Sequence, residues 1–143
     1  MAENKYTFYR KKVAGRFSVN ERFVGFEAAN VNPVTIDQDN PNYLWENKVV
    51  ISFGVSELGK FLSFFNKDTN EISLFHNSPR GGSKTLKGRR MDNGNIMINL
   101  EHTTVDGVKS TVSTVALFPE DVYVVAELFK VGILNLTLVN NNP

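Results

Sequence analysis

The sequence contains no cysteine and only two histidines, His76 and His102. The absence of cysteine excludes disulfide bonds and thiolate metal sites, and neither histidine has a metal-ligand partner at a standard spacing. We therefore expect no metal and no cofactor, and we interpret His76 as a hydrogen-bonding residue at the end of a strand. No nucleophile and base stand in a recognisable catalytic pattern, so the sequence predicts a protein that is not an enzyme.

The chain also lacks long apolar runs. No stretch approaches the roughly 18 consecutive apolar residues that a membrane-spanning helix requires. The first twelve residues, MAENKYTFYRKK, contain no apolar signal region. A chain of 143 residues, 41% of them hydrophobic, fits one domain over residues 1–143. We expect a cytoplasmic protein with one hydrophobic core and no membrane partner.

The basic residues are segregated, although the net charge is only +1. Ten of the sixteen lysines and arginines lie in two blocks, 4–20 and 72–91, and neither block contains an acid. The ten are Lys5, Arg10, Lys11, Lys12, Arg16, Arg80, Lys84, Lys87, Arg89 and Arg90. Segregated charge creates a local positive field, and such a field attracts phosphates. Two solvated basic surfaces without a binding role are the alternative.

Hydrophobic periodicity predicts strands and then a helix in the first half of the chain. Aromatic and β-branched residues indicate one bent strand or two short strands over residues 6–19, and further strands over 22–31 and 43–53. The apolar spacing then changes to three and four residues, which predicts an amphipathic helix with Gly54 or Ser56 as its N-cap. The residues with this spacing are Val55, Leu58, Phe61, Leu62 and Phe65.

The second half repeats this order. Residues 71–77 have the composition of a strand, and the Asp-Asn-Gly and Asp-Gly sequences at 92–94 and 106–107 are typical of hairpin turns because Asn and Gly tolerate positive φ. A last strand is expected over 111–118. Pro119 is suited to the first position of a second helix, and Glu120 and Asp121 follow it in the first turn.

The order of these elements predicts the fold class. Strands occur in runs and do not alternate with helices, which favours antiparallel sheets and the α+β class. Two units of the same kind lie side by side in the chain, over residues 6–66 and 71–138. Each unit is expected to form an antiparallel sheet of about four strands, closed by an amphipathic helix.

Three stretches of the sequence occur in an order that is typical of one family. The first is YLWENKVVISFGVSELGKFLSFF, in which the matching residues are Trp45, Glu46, Lys48, Glu57, Leu58 and Gly59. The second, ISLFHNS, is similar to a strand end with the sequence phenylalanine-histidine-aspartate-proline, and the third, FPEDVYVVAELFKVGIL, is similar to a closing helix. Together they resemble the Whirly family of single-stranded-DNA-binding proteins, over about residues 6–138.

The resemblance implies two roughly four-stranded sheets packed against helices, and protomers that assemble as a tetramer through those helices. Single strands would run along the sheet surfaces. The family's lysine-glycine-lysine-alanine-alanine-leucine signature corresponds to RKKVAGRF, where Lys12 and Ala14 match it and Lys11 replaces a glycine. Guide-RNA-binding relatives of this fold make RNA an alternative ligand. The transit segment of the plant members is absent, which favours a bacterial protein, a phage protein or an already mature organellar protein.

Bases and aromatic residues are interleaved in YTFYRKKVAGRF, a pattern that suits a single strand. Lysine and arginine neutralise phosphates, and an exposed aromatic ring stacks on any base for roughly 1–3 kcal/mol. In a regular strand Tyr6, Phe8 and Arg10 share one side and Tyr9 and Lys11 the other, and the sequence does not decide which side is core. The predicted nucleic-acid contacts are Tyr9, Arg10, Lys11, Lys12, Arg16, Phe17, Arg80, Lys84, Lys87, Arg89 and Arg90.

The sequence thus predicts a non-enzymatic protein that binds single-stranded DNA with little sequence preference, in replication, recombination or repair. Binding of single-stranded RNA is one alternative, and a structural or assembly protein with an incidental basic surface is another. The two acid-free basic blocks favour binding, because an assembly module has no need for them. The wide apolar face of the last helix favours self-association, as a homotetramer.

Overall fold

A computed structural model describes residues 3–141, with side chains as far as residue 138. The strands are β1 (Asn4–Tyr9), β2 (Val13–Val19), β3 (Val24–Asn30), β4 (Val49–Ser52), β5 (Glu71–Asn77), β6 (Ser83–Arg90), β7 (Ile96–Thr103), β8 (Lys109–Thr111) and β9 (Val115–Leu117). The helices are α1 (Val55–Phe65) and α2 (Pro119–Asn141). The predicted domain, 1–143, includes residues 1, 2, 142 and 143, which lie outside the described residues.

The first sheet has the strand order β1-β2-β3-β4, and all its neighbours are antiparallel. The register aligns Tyr6, Phe17 and Phe26 in one row across three strands. Because side chains alternate along a strand, this row and its neighbours place their apolar residues on one face of the sheet. That face forms the inner side of the first sheet.

The second sheet has the order β5-β6-β7, and two short strands share the position beyond β7. Residues 96–98 of β7 pair with β9, and residues 101–103 pair with β8. Both predicted hairpin turns are present, with φ of +90° at Gly94 and +83° at Gly107. The predicted α+β class with two antiparallel sheets is confirmed, with four strands in one sheet and five in the other.

Each helix covers the sheet of the other unit. From α1, Phe64 lies over β6, where a Cβ added to Gly88 would be 3.4 Å from its ring. Helix α2 crosses the first sheet, and the ring of Phe129 meets that of Phe17 edge-on with centroids 5.6 Å apart. Amphipathic spacing shows that a helix has an apolar face, but not which sheet that face meets. Only the structure shows that the two units exchange their helices, so that α1 covers the second sheet and α2 the first.

One core joins both sheets and both helices, and Phe129 lies near its centre. Its ring centroid is within 6.0 Å of those of Phe17, Phe53, Phe61 and Phe65. Full burial of one phenylalanine side chain contributes roughly 1.5–3 kcal/mol. This cluster contains five of the eleven phenylalanines in the sequence.

A glycine allows α2 to lie close to the first sheet. A Cβ at Gly132 would be only 2.5 Å from Cγ2 of Val24 on β3. One turn further along the helix, the Asn135 side chain donates a hydrogen bond to the Asn20 carbonyl at 3.1 Å. A larger residue at position 132 would therefore push the helix away from β3.

A buried carboxylate joins the start of α2 to the end of β1. Asp121 is 4% exposed, and its Oδ2 accepts hydrogen bonds from Arg10 Nη2 at 2.5 Å and from the Phe118 N–H at 2.8 Å. The Tyr6 hydroxyl donates to Oδ1, and this hydrogen bond is the main reason that the pKa of Tyr6 is raised to about 12. The guanidinium of Arg10 also lies 4.3 Å from the Phe118 ring centroid. We term this contact the Arg10–Asp121 clamp.

The side chain of Asn30, at the end of β3, connects the two sheets. Its Nδ2 donates to the Thr111 carbonyl at 3.2 Å, and its Oδ1 accepts from the Ser113 N–H at 2.7 Å. These bonds hold the segment between β8 and β9, where the chain leaves the ladder of the second sheet. The two sheets are therefore fixed to each other at this point.

Candidate nucleic-acid interface

Strand alternation orients the first basic block. Phe8 faces the core, so its neighbour Tyr9 faces outward and is 58% exposed. Residues 10–12 connect β1 to β2, and Lys11 and Lys12 are exposed on this turn. Tyr9, Lys11 and Lys12 therefore form an accessible group at the tip of the first hairpin, which we term the hairpin cluster.

Two predicted contacts in the same block have structural roles instead. Phe17 is fully buried because it lies in the inner row with Tyr6 and Phe26, so its ring cannot stack on a base. Arg10 is held by Asp121 in the clamp. Both predictions are corrected: Phe17 belongs to the core, and Arg10 stabilises the contact between α2 and β1.

Arg16 lies on the outer face of the first sheet, but its neighbours already bind it. Its Nη1 is 2.9 Å from Glu27 Oε1, its Nε donates to Thr7 Oγ1 at 2.9 Å, and its guanidinium is 4.5 Å from the Trp45 ring centroid. Glu27 is also 2.9 Å from Lys48 Nζ. The carboxylate offsets much of the positive charge, so this face has a weaker field than the sequence predicts.

The second basic block is divided between the two faces of β6. Leu86 is buried on the inner side, and alternation places Lys84 and Arg90 on that side as well. Lys87 and Arg89 point to the outer side and are exposed. Only these two bases of β6 therefore share an accessible face.

Arg90 stabilises the end of α1. Its Nη1 donates to the Thr69 carbonyl at 3.0 Å and its Nη2 to the carbonyl of Phe64, in the last turn of the helix. A positive charge is favourable there because the last carbonyls of a helix lack intrahelical partners. Arg90 therefore has a structural role at the end of α1, and its predicted contact with phosphate stays a prediction.

Arg80 and Lys84 lie at the far end of the second sheet. Arg80 is exposed on the loop between β5 and β6, where Gly81 and Gly82 have φ of +92° and +83°. Lys84 is partly buried and pairs across the strands with His76. Both bases remain predicted contacts, but neither lies on the outer side of β6.

A concavity of about 920 Å³ lies on the outer side of the second sheet. Its lining includes Glu71, Ser73, Lys87, Arg89 and Asn99, and we term it the outer groove. Within residues 3–138, neither Lys87 nor Arg89 forms a salt bridge. The outer groove therefore offers two basic side chains that form no ion pair in the described part of the protein, although the Glu71 carboxylate lies in the same lining and opposite Arg89 in the register.

Phe75 is an accessible aromatic residue that was not among the predicted contacts. It is 60% exposed and lies on the outer side of the second sheet, opposite Thr85. The sequence contained the signal, because the apolar pair Ile72 and Leu74 faces inward and strand alternation then turns Phe75 outward. An exposed ring on the same face as Lys87 can stack on a planar ligand.

The described residues show no arrangement of metal ligands. In residues 3–141, no group of three or more His, Cys, Asp or Glu side chains could hold a metal ion. Neither helix of the described chain is long and apolar enough to cross a membrane. His76 Nε2 is 2.6 Å from Glu57 Oε2, which confirms its predicted role as a hydrogen-bonding residue at a strand end.

Comparison of sequences finds no family model and no curated protein that matches the chain. Comparison of structures finds WHY1 from Arabidopsis thaliana with a TM-score of 0.78, over 99% of this chain and 94% of that chain, at 17% identity. The plant transcriptional regulator PBF-2 gives 0.75 over 98% and 96% of the two chains, at 20% identity. A guide-RNA-binding protein complex bound to a guide RNA gives 0.64 over 94% and 91%, at 10% identity.

These similarities extend over nearly the whole chain and include both sheets and both helices. Identities of 10–20% are too low to transfer a residue's role, so the comparisons concern architecture. They confirm the architecture that the sequence resemblance implied, two antiparallel sheets packed against helices. The chain therefore has the fold of the Whirly proteins, which the guide-RNA-binding complex shares.

Proposed function

We propose that the protein binds single-stranded nucleic acid along the outer groove, with single-stranded DNA as the first candidate. The observation that carries this proposal is the exposed ring of Phe75 on the same face as Lys87 and Arg89. Stacking rings and phosphate-neutralising cations are the two components of single-strand sites that tolerate any sequence. The proposed activity is binding, without a catalytic step.

The hairpin cluster provides a second group of contacts for the same ligand. The ring centroid of Tyr9 is 5.4 Å from that of Tyr43, and the Tyr43 hydroxyl donates to the Arg10 carbonyl at 2.6 Å. These contacts hold the exposed Tyr9 ring in place, so stacking on it costs little conformational entropy. Lys11 and Lys12 would then bind the adjacent phosphates.

The structural neighbours support a nucleic-acid ligand. One is a complex bound to a guide RNA, which makes single-stranded RNA the second candidate, and another is a plant transcriptional regulator. A role in replication, recombination or repair, in the cytoplasm of a bacterium or a phage-infected cell, is part of the same proposal.

Single-stranded DNA is expected to bind at least about tenfold more tightly than duplex DNA, a gap of about 1.4 kcal/mol. A duplex hides the base faces that Phe75 and Tyr9 would contact. Fluorescence anisotropy with matched single-stranded DNA, single-stranded RNA and duplex at two salt concentrations measures the gap. Equal affinity for single strands and duplex in moderate salt would reject stacking, and the absence of any binding would favour an assembly protein.

The double substitution Lys87→Ala/Arg89→Ala is expected to weaken binding to all sequences alike. Log affinity falls as log salt rises, and the size of this negative slope should decrease by roughly one to two units, because two phosphate contacts are lost. Arg22→Ala/Lys60→Ala is a matched control that removes the same charge from exposed positions outside the outer groove. An unchanged slope in the first variant would place the phosphates elsewhere.

We also propose that copies of the chain associate through α2. The outward side of this helix exposes large apolar residues that nothing in the described chain covers. These residues are Tyr123, Val124, Val131, Leu134 and Leu138. An exposed apolar stripe of this kind is typical of an interface. The proposed state is the homotetramer that the sequence resemblance implies.

Light scattering at micromolar concentrations is expected to give the mass of four chains. The variant Leu134→Glu/Leu138→Glu should give a smaller mass, because burial of an unpaired carboxylate is unfavourable. Glu127→Gln, an exposed polar change on the same helix, should leave the mass unchanged. A monomer mass for the unmodified protein would contradict the proposal.

A further inference from the structure

The inner side of the second sheet changes from apolar to basic at its far end. Beyond the row that contains the buried Leu86, the register of β5, β6 and β7 aligns His76, Lys84 and His102. Side chains directly opposite each other on adjacent strands lie about 4.5–5.5 Å apart at Cβ. Three groups that can carry positive charge therefore stand next to one another where the core ends.

This row lines a cavity of about 210 Å³, which we term the inner cavity. Its other walls are also polar: Ser52 at the end of β4, and Asn77, Ser78 and Ser83 beside the β5–β6 loop. Within the described chain, neither an acidic nor an apolar side chain is part of the lining. The inner cavity is therefore surrounded by hydroxyl, amide, imidazole and ammonium groups.

The acidic side chain that contacts this row, Glu57, already forms hydrogen bonds with other residues of the protein. Glu57 Oε2 is 2.6 Å from His76 Nε2, and Glu57 Oε1 accepts the Gly54 N–H at 3.1 Å. Lys84 and His102 form no ion pair with any other residue in the range 3–138. Two basic side chains thus remain available to a ligand in the inner cavity.

We propose that the inner cavity binds the phosphate group of a phosphomonoester, such as a mononucleotide or the phosphorylated end of a nucleic-acid strand. A phosphomonoester carries about −1.5 to −2 charges at neutral pH and three strong acceptor oxygens. The Lys84 ammonium, the two imidazoles and the serine hydroxyls are donors for those oxygens. The cavity has room for one phosphate and part of a sugar, and no apolar wall against which a base could stack.

The inner cavity and the outer groove lie on opposite sides of the second sheet. A strand that follows the outer groove therefore does not pass through the inner cavity. Phosphate binding in the inner cavity and single-strand binding along the outer groove are therefore independent proposals, and an experiment can reject one of them without rejecting the other.

The two histidines make the site directly observable, because the chain contains no others. Inorganic phosphate, added at fixed pH and ionic strength, is expected to shift both imidazole signals in a ¹H–¹³C NMR spectrum saturably, whereas chloride should not. Lys84→Gln should weaken phosphate binding roughly tenfold or more, through loss of a charge-assisted hydrogen bond. Lys60→Gln, exposed on α1, is the control and should bind as the unmodified protein does.

Oligonucleotides with a 5′-phosphate or a 5′-hydroxyl distinguish the source of the phosphate. We expect the phosphorylated form to bind roughly tenfold more tightly, and Lys84→Gln to abolish the difference. Shifts with 5′-dAMP but no difference between the oligonucleotides would support the site with a mononucleotide as its ligand. The absence of a saturable shift with both phosphate and 5′-dAMP, in protein that is folded by circular dichroism, would overturn the proposal.

Discussion

An Asp121→Ala variant is expected to lose about 3–5 kcal/mol of unfolding free energy, the usual cost of removing one partner of a buried ion pair. The substitution leaves the Arg10 side chain, only 20% exposed, without its counter-charge. It also removes the acceptor for the Phe118 N–H and for the Tyr6 hydroxyl. Since domains of ordinary size are stable by about 5–15 kcal/mol, this loss is a large part of the total.

Urea denaturation followed by circular dichroism measures the effect, and Glu120→Ala is the matched control. Glu120 precedes Asp121 in the first turn of α2 but is exposed and forms no ion pair within residues 3–138. Its removal should cost at most about 1 kcal/mol, the size of a helix-dipole interaction. If both variants lose the same small amount, the clamp does not stabilise the docking of α2.

Phe75→Ala is expected to weaken binding of single-stranded DNA by about 1–3 kcal/mol, the range for one base stacked on an aromatic ring. Duplex binding should change little, because a duplex offers no free base face to this ring. The fold should survive, since the side chain is 60% exposed and lies outside the core.

Two further substitutions at this position separate stacking from general apolar contact. Phe75→Tyr keeps the ring and should retain most of the affinity, whereas Phe75→Leu keeps apolar bulk without a ring and should behave as alanine does. Anisotropy titrations of single-stranded and duplex DNA provide the comparison. Equal affinity of the alanine and unmodified proteins for single strands would remove Phe75 from the interface.

Local sequence patterns predicted the elements of the fold because those elements are produced by local geometry. The spacing of Leu58 and Phe61 corresponds to the buried face of α1, and Pro119 is the first residue of α2. The same reasoning, applied to Ile72 and Leu74, places Phe75 on the outer side of β5. The sequence therefore indicates that Phe75 is exposed, although Phe75 is not among the predicted contacts.

Contacts between distant residues could not be predicted in this way. The groups that bind Arg10 and Arg90 are 111 and 26 residues away in the chain, and nothing in a run of bases shows which charges are already satisfied. Phe17 illustrates the same difficulty, because alternation identifies two faces of a strand but not the face that α2 covers. The structural contacts of these three residues therefore could not be predicted from the sequence.

The resemblance of the sequence to the Whirly family predicted the architecture correctly. It does not identify the binding residues, because the stretch RKKVAGRF combines an exposed pair, Lys11 and Lys12, with the structural Arg10. The remaining contacts and the homotetramer stay predictions that the proposed titrations and light scattering test.

The exchange of helices between the two units determines how the chain can fold. Much of the inner face of the first sheet is covered by α2, which contributes Phe129 and Gly132. The contact between Arg10 and Asp121 closes a loop of 111 residues, and such long closures are costly in entropy and slow. The segment 6–66 therefore lacks the helix that completes its own sheet, and we expect its apolar face to stay open during synthesis until α2 has left the ribosome. Despite its repeated order of elements, we therefore expect the protein to fold as one cooperative unit and not as two successive halves.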